Sequence, residues 1–300
     1  MASKARFGIA LAFLAYASWG LLSPVGKHFL ATGAYLPFGL NAVRFALAAV
    51  LFIACLKPSV QRESMRLLLR RDVLWVNVLA NASLTLFLYS LAALPHATYA
   101  TLGFYTAPLW TAALAHVTLG ERVGPWFAPA AAGLLLGGYV ALFGLQAPQA
   151  VGAWGMALAV SSGLVWAFYS VALRRFADQV PLAPLMGASF IFGAAWYGVP
   201  ALVLEGPPAL LHQTAASWGW MAVYVAVPTL ASFILFNAAL QRAPASLVNL
   251  LVGAELGFTA LFAALLFAEP FTAAQVGGLG LVLVSVTAYL WVQSRTPSPK

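Results

Sequence analysis

Residues 256–271 read LGFTALFAALLFAEPF, and residues 108–123 read PLWTAALAHVTLGERV. Each stretch runs thirteen residues without a formal charge before reaching a glutamate, Glu269 in one and Glu121 in the other, 148 positions apart. The apolar residues follow one another instead of alternating, so such a run is a helix and not a barrel strand. Its neighbours on either side are of the same kind.

Working outward from these two stretches, apolar runs fall near 7–28, 37–56, 73–94, 97–118, 125–145, 151–173, 183–204, 216–238, 245–267 and 272–292. A hydrocarbon core about 30 Å thick takes roughly 20 helical residues to cross. Ten runs of that length predict ten transmembrane helices, with the break between the third and fourth resting mainly on Pro95-His96. The composition agrees: 63% of the 300 residues are hydrophobic, 7% are charged, and mean hydropathy is +0.91. Water-soluble domains carry about 25% charge, so this much apolar surface needs lipid as its solvent. The expectation is an all-α integral membrane protein without a soluble domain.

Positive charge orients the helices. With the N-terminus inside, Lys4, Arg6, Lys57, Arg62, Arg66, Arg70, Arg71, Arg122, Arg174, Arg175, Arg242, Arg295 and Lys300 all fall on the cytoplasmic side, 13 of the 15 basic residues. Lys27 falls outside and Arg44 within the second span. Both termini are therefore expected in the cytoplasm, with the chain multi-pass in the cell's inner (plasma) membrane. The net charge of +8 sits in short gaps between spans, a topology signal and not a groove for nucleic acid. Cys55 is the single cysteine, which excludes a disulfide framework. The basic N-terminus with its apolar run is read as the first helix, since no small-residue cleavage site follows. The loop from Lys57 to Asp72 reads as a short amphipathic helix at the interface, and the tail 293–300 as disordered.

The chain also repeats. WGLLSPVGKHF (19–29) overlies WAFYSVALRRF (166–176) at a shift of 147, pairing Trp19 with Trp166, and the two opening stretches align at 148. The halves are 7–145 and 151–292, with five spans each. An odd number forces the second copy to enter the membrane from the opposite side, giving inverted-topology repeats. Two inverted copies can exchange conformations and so open a central site to either face in turn, a symmetry that suits a carrier.

The ten-span pattern in two halves, Trp19-Gly20 in the first span, Arg44 in the second, Pro108 in the fourth and LGER closing it at 119–122 resemble the drug/metabolite transporter superfamily, and within it the EamA-type exporters. The resemblance covers residues 7 to 292. It implies a central cavity formed by spans 1–4 and 6–9, peripheral spans 5 and 10, and export of amino acids or similar metabolites. One departure stands out: Glu255-Leu256 occupies a place where many relatives carry Glu-Pro. A proline hinge is thus expected to be missing from the ninth span, and the halves to flex differently.

Polar residues inside the spans are the candidate site, because each buried charge costs at least ~2.5–3.5 kcal/mol at a helix centre. Glu255 lies near the midplane and reads as a proton-coupling carboxyl or a ligand for a substrate ammonium; the plainer alternative is one structural hydrogen bond between helices. Arg44 can hold a substrate carboxylate in a bidentate pair; the alternative is that it snorkels to the outer interface or closes a carbonyl-rich helix end. Asn77, Asn81, Thr85 and Tyr89 recur every fourth residue and share a face, as do Thr98, Thr101, Tyr105 and Pro108, the last a candidate hinge. Ser162, Trp166, Tyr169 and Ser170 cluster in the sixth span, echoing Trp19 and Ser23; Asn41, Ser232 and Asn237 add single groups. The substrate-binding set is therefore Trp19, Asn41, Arg44, Asn77, Asn81, Tyr89, Tyr105, Trp166, Tyr169 and Asn237, set against the alternative that the amides and hydroxyls only tie helix to helix. Trp75, Trp126, Trp154, Trp218, Trp220 and Trp291 near span ends read as interfacial anchors. Gly133-Gly137-Gly138 and Gly277-Gly278-Gly280 permit close helix approach, within one chain or between chains.

Rival functions fit less well. The histidines His28, His96, His116 and His212 are scattered and no HExxH or G-x-S-x-G occurs, so a membrane-embedded enzyme lacks convergent groups. Carriers of phosphorylated sugars or nucleotide-sugars need several buried cations where this chain offers Arg44, with Lys27 at the rim. No nucleotide-binding loop is present. A gradient-driven or downhill carrier of a small molecule follows, with no cofactor or metal and read as a monomer in the bilayer; a passive facilitator is the variant to separate from it.

Overall fold

The computed structural model describes residues 2–33, 35–94, 97–144, 152–177, 179–207, 214–268 and 272–295. The Pro95-His96 break, His212, Glu269-Pro270 and the tail 296–300 lie outside them, as does the side chain of Thr98. The described residues form helices throughout. Eight are long and apolar enough to cross a bilayer: Lys4–Ala31, Pro37–Ala54, Arg71–Ala93, Ala153–Phe176, Leu182–Glu205, Ala215–Leu240, Ala245–Phe267 and Ala273–Val292. They are spans 1, 2, 3, 6, 7, 8, 9 and 10. Span 4 is built from two pieces, Ala97–Phe104 and Ala107–Leu119, and span 5 is the shorter helix Phe127–Phe143. The cytoplasmic loop carries the expected amphipathic helix, Pro58–Leu67, which packs against span 7 through Ser64 on Gly187.

Contacts between equivalent spans establish the inversion. Span 2 lies on span 7: Phe45 stacks on Tyr197 with centroids 5.5 Å apart, Phe52 meets Phe190 at 5.4 Å, and Gly187 abuts Ile53. As one number rises the other falls, so these mates run antiparallel. Span 5 meets span 10 the same way, Gly133 against Ser285, Gly137 against Val282 and Ala141 against Gly278. The principal contacts also keep their pattern when the halves are exchanged: span 1 packs on spans 8 and 9, and span 6 on spans 3 and 4. Gly8 seats on Ala243 and its mate Gly155, 147 residues on, seats on Leu94. A two-fold axis in the membrane plane accounts for all of these.

The glycine stripes act within the chain. Gly137 and Gly278 bring the backbones of spans 5 and 10 into direct contact, where no side chain would fit. Exposed Trp75, Trp126, Trp154, Trp218 and Trp291 stand near span ends, as anchors do.

Several spans are broken, which apolarity alone does not reveal. Span 1 interrupts at Gly20-Leu21, span 4 at Tyr105-Thr106 and span 9 at Leu251-Val252. In span 4 the cause is local: Pro108 opens the second piece at a position where its missing N–H costs nothing. In span 9 the chain tightens to i→i−3 bonds, with Leu251 N donating to Val248 O, Val252 N to Asn249 O and Glu255 N to Val252 O. Span 9 therefore breaks without a proline, at the place in its half that corresponds to the break in span 4. Spans 7 and 8 carry π-helical turns at Ala201–Glu205 and Ala226–Ala231, beside Pro200 and around Pro228.

Candidate functional site

The breaks in spans 1, 4 and 9 surround one cavity of about 630 Å³, its open mouth included. Trp19, Phe87, Phe104, Trp166 and Phe233 give it aromatic walls, with Tyr16 and Tyr105 at its floor. Leu22, Ser23, Arg44, Leu84 and Thr101 belong to the outer halves of spans 1 to 4, and Glu255 completes the lining at mid-depth. The cavity thus reaches from the midplane toward the outer face.

The ring cluster is centred on the repeat axis. Trp19 and its mate Trp166 meet edge to face at 5.7 Å, and both lean on Phe236 at 5.2 Å. Edge-to-face pairs contribute roughly 0.5–1.5 kcal/mol each beyond area burial, and in lipid such packing stands in for the missing hydrophobic drive between helices.

Arg44 is 2% exposed, seven residues inside its helix. The snorkelling reading therefore fails. Its Nη1 donates to the Tyr224 hydroxyl at 3.3 Å, its guanidinium lies 4.9 Å from the Phe45 ring and 5.3 Å from the Tyr224 ring, and its Nε has no partner. No carboxylate of the described residues pairs with it. Aromatic faces hold the charge while leaving most of its donors unspent. Glu255 sits in the first turn of the half-helix Gly253–Phe267, and it lines the same cavity as Arg44.

Of the residues expected to bind substrate, Trp19, Arg44, Tyr105, Trp166 and Glu255 line this cavity. Asn77, Asn81, Tyr169 and Asn237 do not; they line a separate, deeper pocket. Asn41 spends its amide on the Pro37 carbonyl at 2.8 Å and lines neither. Tyr89 is 49% exposed at the outer end of span 3. Pro108 lies buried directly after the break in span 4. Sequence reading missed the aromatic walls Phe87, Phe104 and Phe233, because phenylalanine in an apolar run carries no signal of which face it takes. It also missed Asn249, a buried amide whose Oδ1 accepts from Tyr16 and Ser170, both at 3.5 Å; a lone Asn in span 9 was the available sign.

Two carboxylates close the halves on each other. Glu205, at the outer end of span 7, accepts from Phe38 N at 2.8 Å and Gly39 N at 2.6 Å, capping span 2. Glu121, just beyond the left-handed Gly120 that ends span 4, accepts from Ala245 N at 2.9 Å, Ser246 N at 3.2 Å and Ser246 Oγ at 2.8 Å. It ties span 4 to span 9 at their cytoplasmic ends. Replacing Glu121 with Ala strands these donors, and bonds to charged groups contribute about 1.5–3 kcal/mol. The Glu121→Ala protein in detergent is expected to melt several degrees lower than wild type, Glu121→Gln falling between them. Coincident melting curves for all three would contradict the cap.

Comparison with known proteins completes the assignment. No curated protein matches the chain. A solved structure named only "Crystal structure of protein" superposes with a TM-score of 0.77 at 22% identity, covering 96% of this chain and 99% of that one, which shows a shared fold. The profile of the EamA-like transporter family matches twice, over residues 6–144 and 153–291, once in each half. With the profile matched once in each half, over nearly the whole chain, the chain belongs to the EamA-like transporter family.

Proposed function

We propose that this transporter exports small amphiphilic zwitterions, above all amino acids with aromatic or other apolar side chains, across the inner (plasma) membrane. One observation carries the reading: a buried arginine with no counter-ion among the described residues and a carboxyl line a single aromatic-walled cavity. Arg44 suits the substrate carboxylate, which a guanidinium fork can grip in two parallel bonds. Glu255 suits the ammonium, and the rings suit the side chain. The same carboxyl offers a place for a proton when the ammonium has left, so that substrate and proton alternate on one group. Organophosphates carry two or more negative charges, and the cavity supports them poorly with one cation. The central position between inverted halves supports alternating access.

Purified protein in proteoliposomes is expected to show saturable flux of phenylalanine or leucine and none of a sugar phosphate; the reverse pattern contradicts the substrate class. Flux that rises linearly with concentration indicates a passive facilitator instead. Coupling is tested with a pH gradient, where one pH unit can drive about tenfold accumulation per exchanged proton. Wild type is expected to respond and Glu255→Gln to lose the response while keeping exchange of labelled for unlabelled substrate. If Glu255→Gln behaves as wild type under every gradient, the proton role is wrong.

A further inference from the structure

Beneath the central cavity lies a second, narrower pocket, about 320 Å³ with its openings included, walled by Asn77, Asn81, Tyr169, Ser189 and Asn237. Two of its groups have no partner among the described residues: Asn77 Nδ2, a donor, and Asn81 Oδ1, an acceptor. Both residues are deeply buried, at 2% and 4% exposure. An unpaired buried amide costs about 1–3 kcal/mol, and apolar residues here would avoid that cost. Asn77 and Asn81 fall in the first half of span 3, Ser189 in the first half of span 7, and Tyr169 and Asn237 late in spans 6 and 8. All five positions are thus on the cytoplasmic side of the midplane.

Leu84 and Phe233 line this pocket and the central cavity alike, so they form the wall between the two. Phe233 is held there by rings on three sides, Trp19 at 5.4 Å, Phe45 at 5.9 Å and Phe190 at 6.4 Å. The repeat relates two of its residues to the outer side. Tyr169 lies 147 residues after Leu22, which lines the outer cavity, and Asn77 lies 147 residues before Tyr224, which bonds the cavity's arginine.

We propose that the amide pocket is the cytoplasmic subsite of the transport path, separated from the central cavity by a gate of Leu84 and Phe233. The proposal rests on the transport reading above for its ligand. The free acceptor of Asn81 suits the ammonium of an amino acid, and the free donor of Asn77 suits its carboxylate. Neutral amides hold these charges less tightly than Glu255 and Arg44 would, as a site from which substrate is loaded and handed on requires.

The test is thiol accessibility on the full chain in membrane vesicles of known orientation. Cys55→Ser removes the only native thiol, and Ser189→Cys places a reporter in the pocket wall. A charged, membrane-impermeant methanethiosulfonate is expected to modify it from the cytoplasmic side, and excess phenylalanine to slow the reaction. From the outer side the rate is expected to be about tenfold lower or less, as for a path open only in a minor state. Adding Phe233→Ala is expected to raise the outer-side rate toward the cytoplasmic one, and Leu84→Ala, a smaller change, to do so in part. No modification from either side, with or without these changes, overturns the proposal and leaves a sealed void. Equal modification from both sides with Phe233 intact overturns the gate, and a rate indifferent to phenylalanine overturns the subsite. Labelling requires no flux, so a protein that labels as expected but moves no amino acid refutes the substrate reading while keeping the path.

Discussion

Arg44→Ala is expected to lower saturable amino-acid flux by about 100-fold while leaving the melting temperature at or above the wild-type value. The magnitude follows from losing a bidentate, charge-assisted pair in a desolvated site, on the order of 2.7 kcal/mol for two factors of ten. The absence of a stability loss follows from how little Arg44 does for the fold. It makes one 3.3 Å bond to Tyr224, leaves Nε unpaired, and faces two rings. A buried charge with no counter-ion disfavours the folded state, so its removal relieves a cost. Arg44→Lys keeps the charge but loses the planar fork and is expected to retain a small part of the flux, with a raised KM. Parallel flux and melting measurements on the three proteins decide the matter. An Arg44→Ala protein that unfolds early, or that transports normally, removes Arg44 from the site.

Gly278→Leu is expected to break the packing of span 10 on span 5. A Cβ at this position would overlap the backbone nitrogen of Ala141 and fall 2.5 Å from the Gly137 carbonyl oxygen. Backbone cannot move aside as a flexible side chain can, so overpacking here should reach or exceed the upper end of the usual ~1–3 kcal/mol. At roughly 2–4 °C per kcal/mol for a chain of this order of size, the melting temperature should fall by about 10 °C. Gly277→Leu is the control one residue away, with nothing within 4 Å of its added Cβ, and should melt with wild type. Equal melting of the two variants would contradict the intramolecular role of the stripe.

These contrasts mark what sequence can and cannot carry. Ten apolar runs and a charge partition specify helices and their direction, because lipid leaves the backbone few choices. The 147–148 repeat specifies inversion, and the antiparallel mates Phe45 with Tyr197 and Gly137 with Val282 are its physical form. The breaks at Gly20-Leu21 and Leu251-Val252 left no mark, since neither holds a proline and apolarity does not encode dihedral angles. At the site, the period-four reading put Asn77, Asn81, Thr85 and Tyr89 on one face. That face crosses the level of Leu84 and Phe233, so the two amides belong to the inner pocket and Tyr89 to the outer surface. Burial in lipid and burial in a cavity wall look alike in a residue string, which is why the phenylalanine walls were invisible and Arg44 admitted more than one reading.

Counterflow in proteoliposomes tests the central claim most directly. With unlabelled phenylalanine inside, labelled phenylalanine should accumulate transiently and saturably, and outside competitors should discriminate. The free zwitterion should compete fully, whereas phenylalanine methyl ester, lacking the carboxylate, and N-acetylphenylalanine, lacking the ammonium, should each compete weakly, because each leaves one of Arg44 and Glu255 unmatched. Equal competition by all three, or no counterflow of phenylalanine beside clear counterflow of a sugar phosphate, would contradict the account.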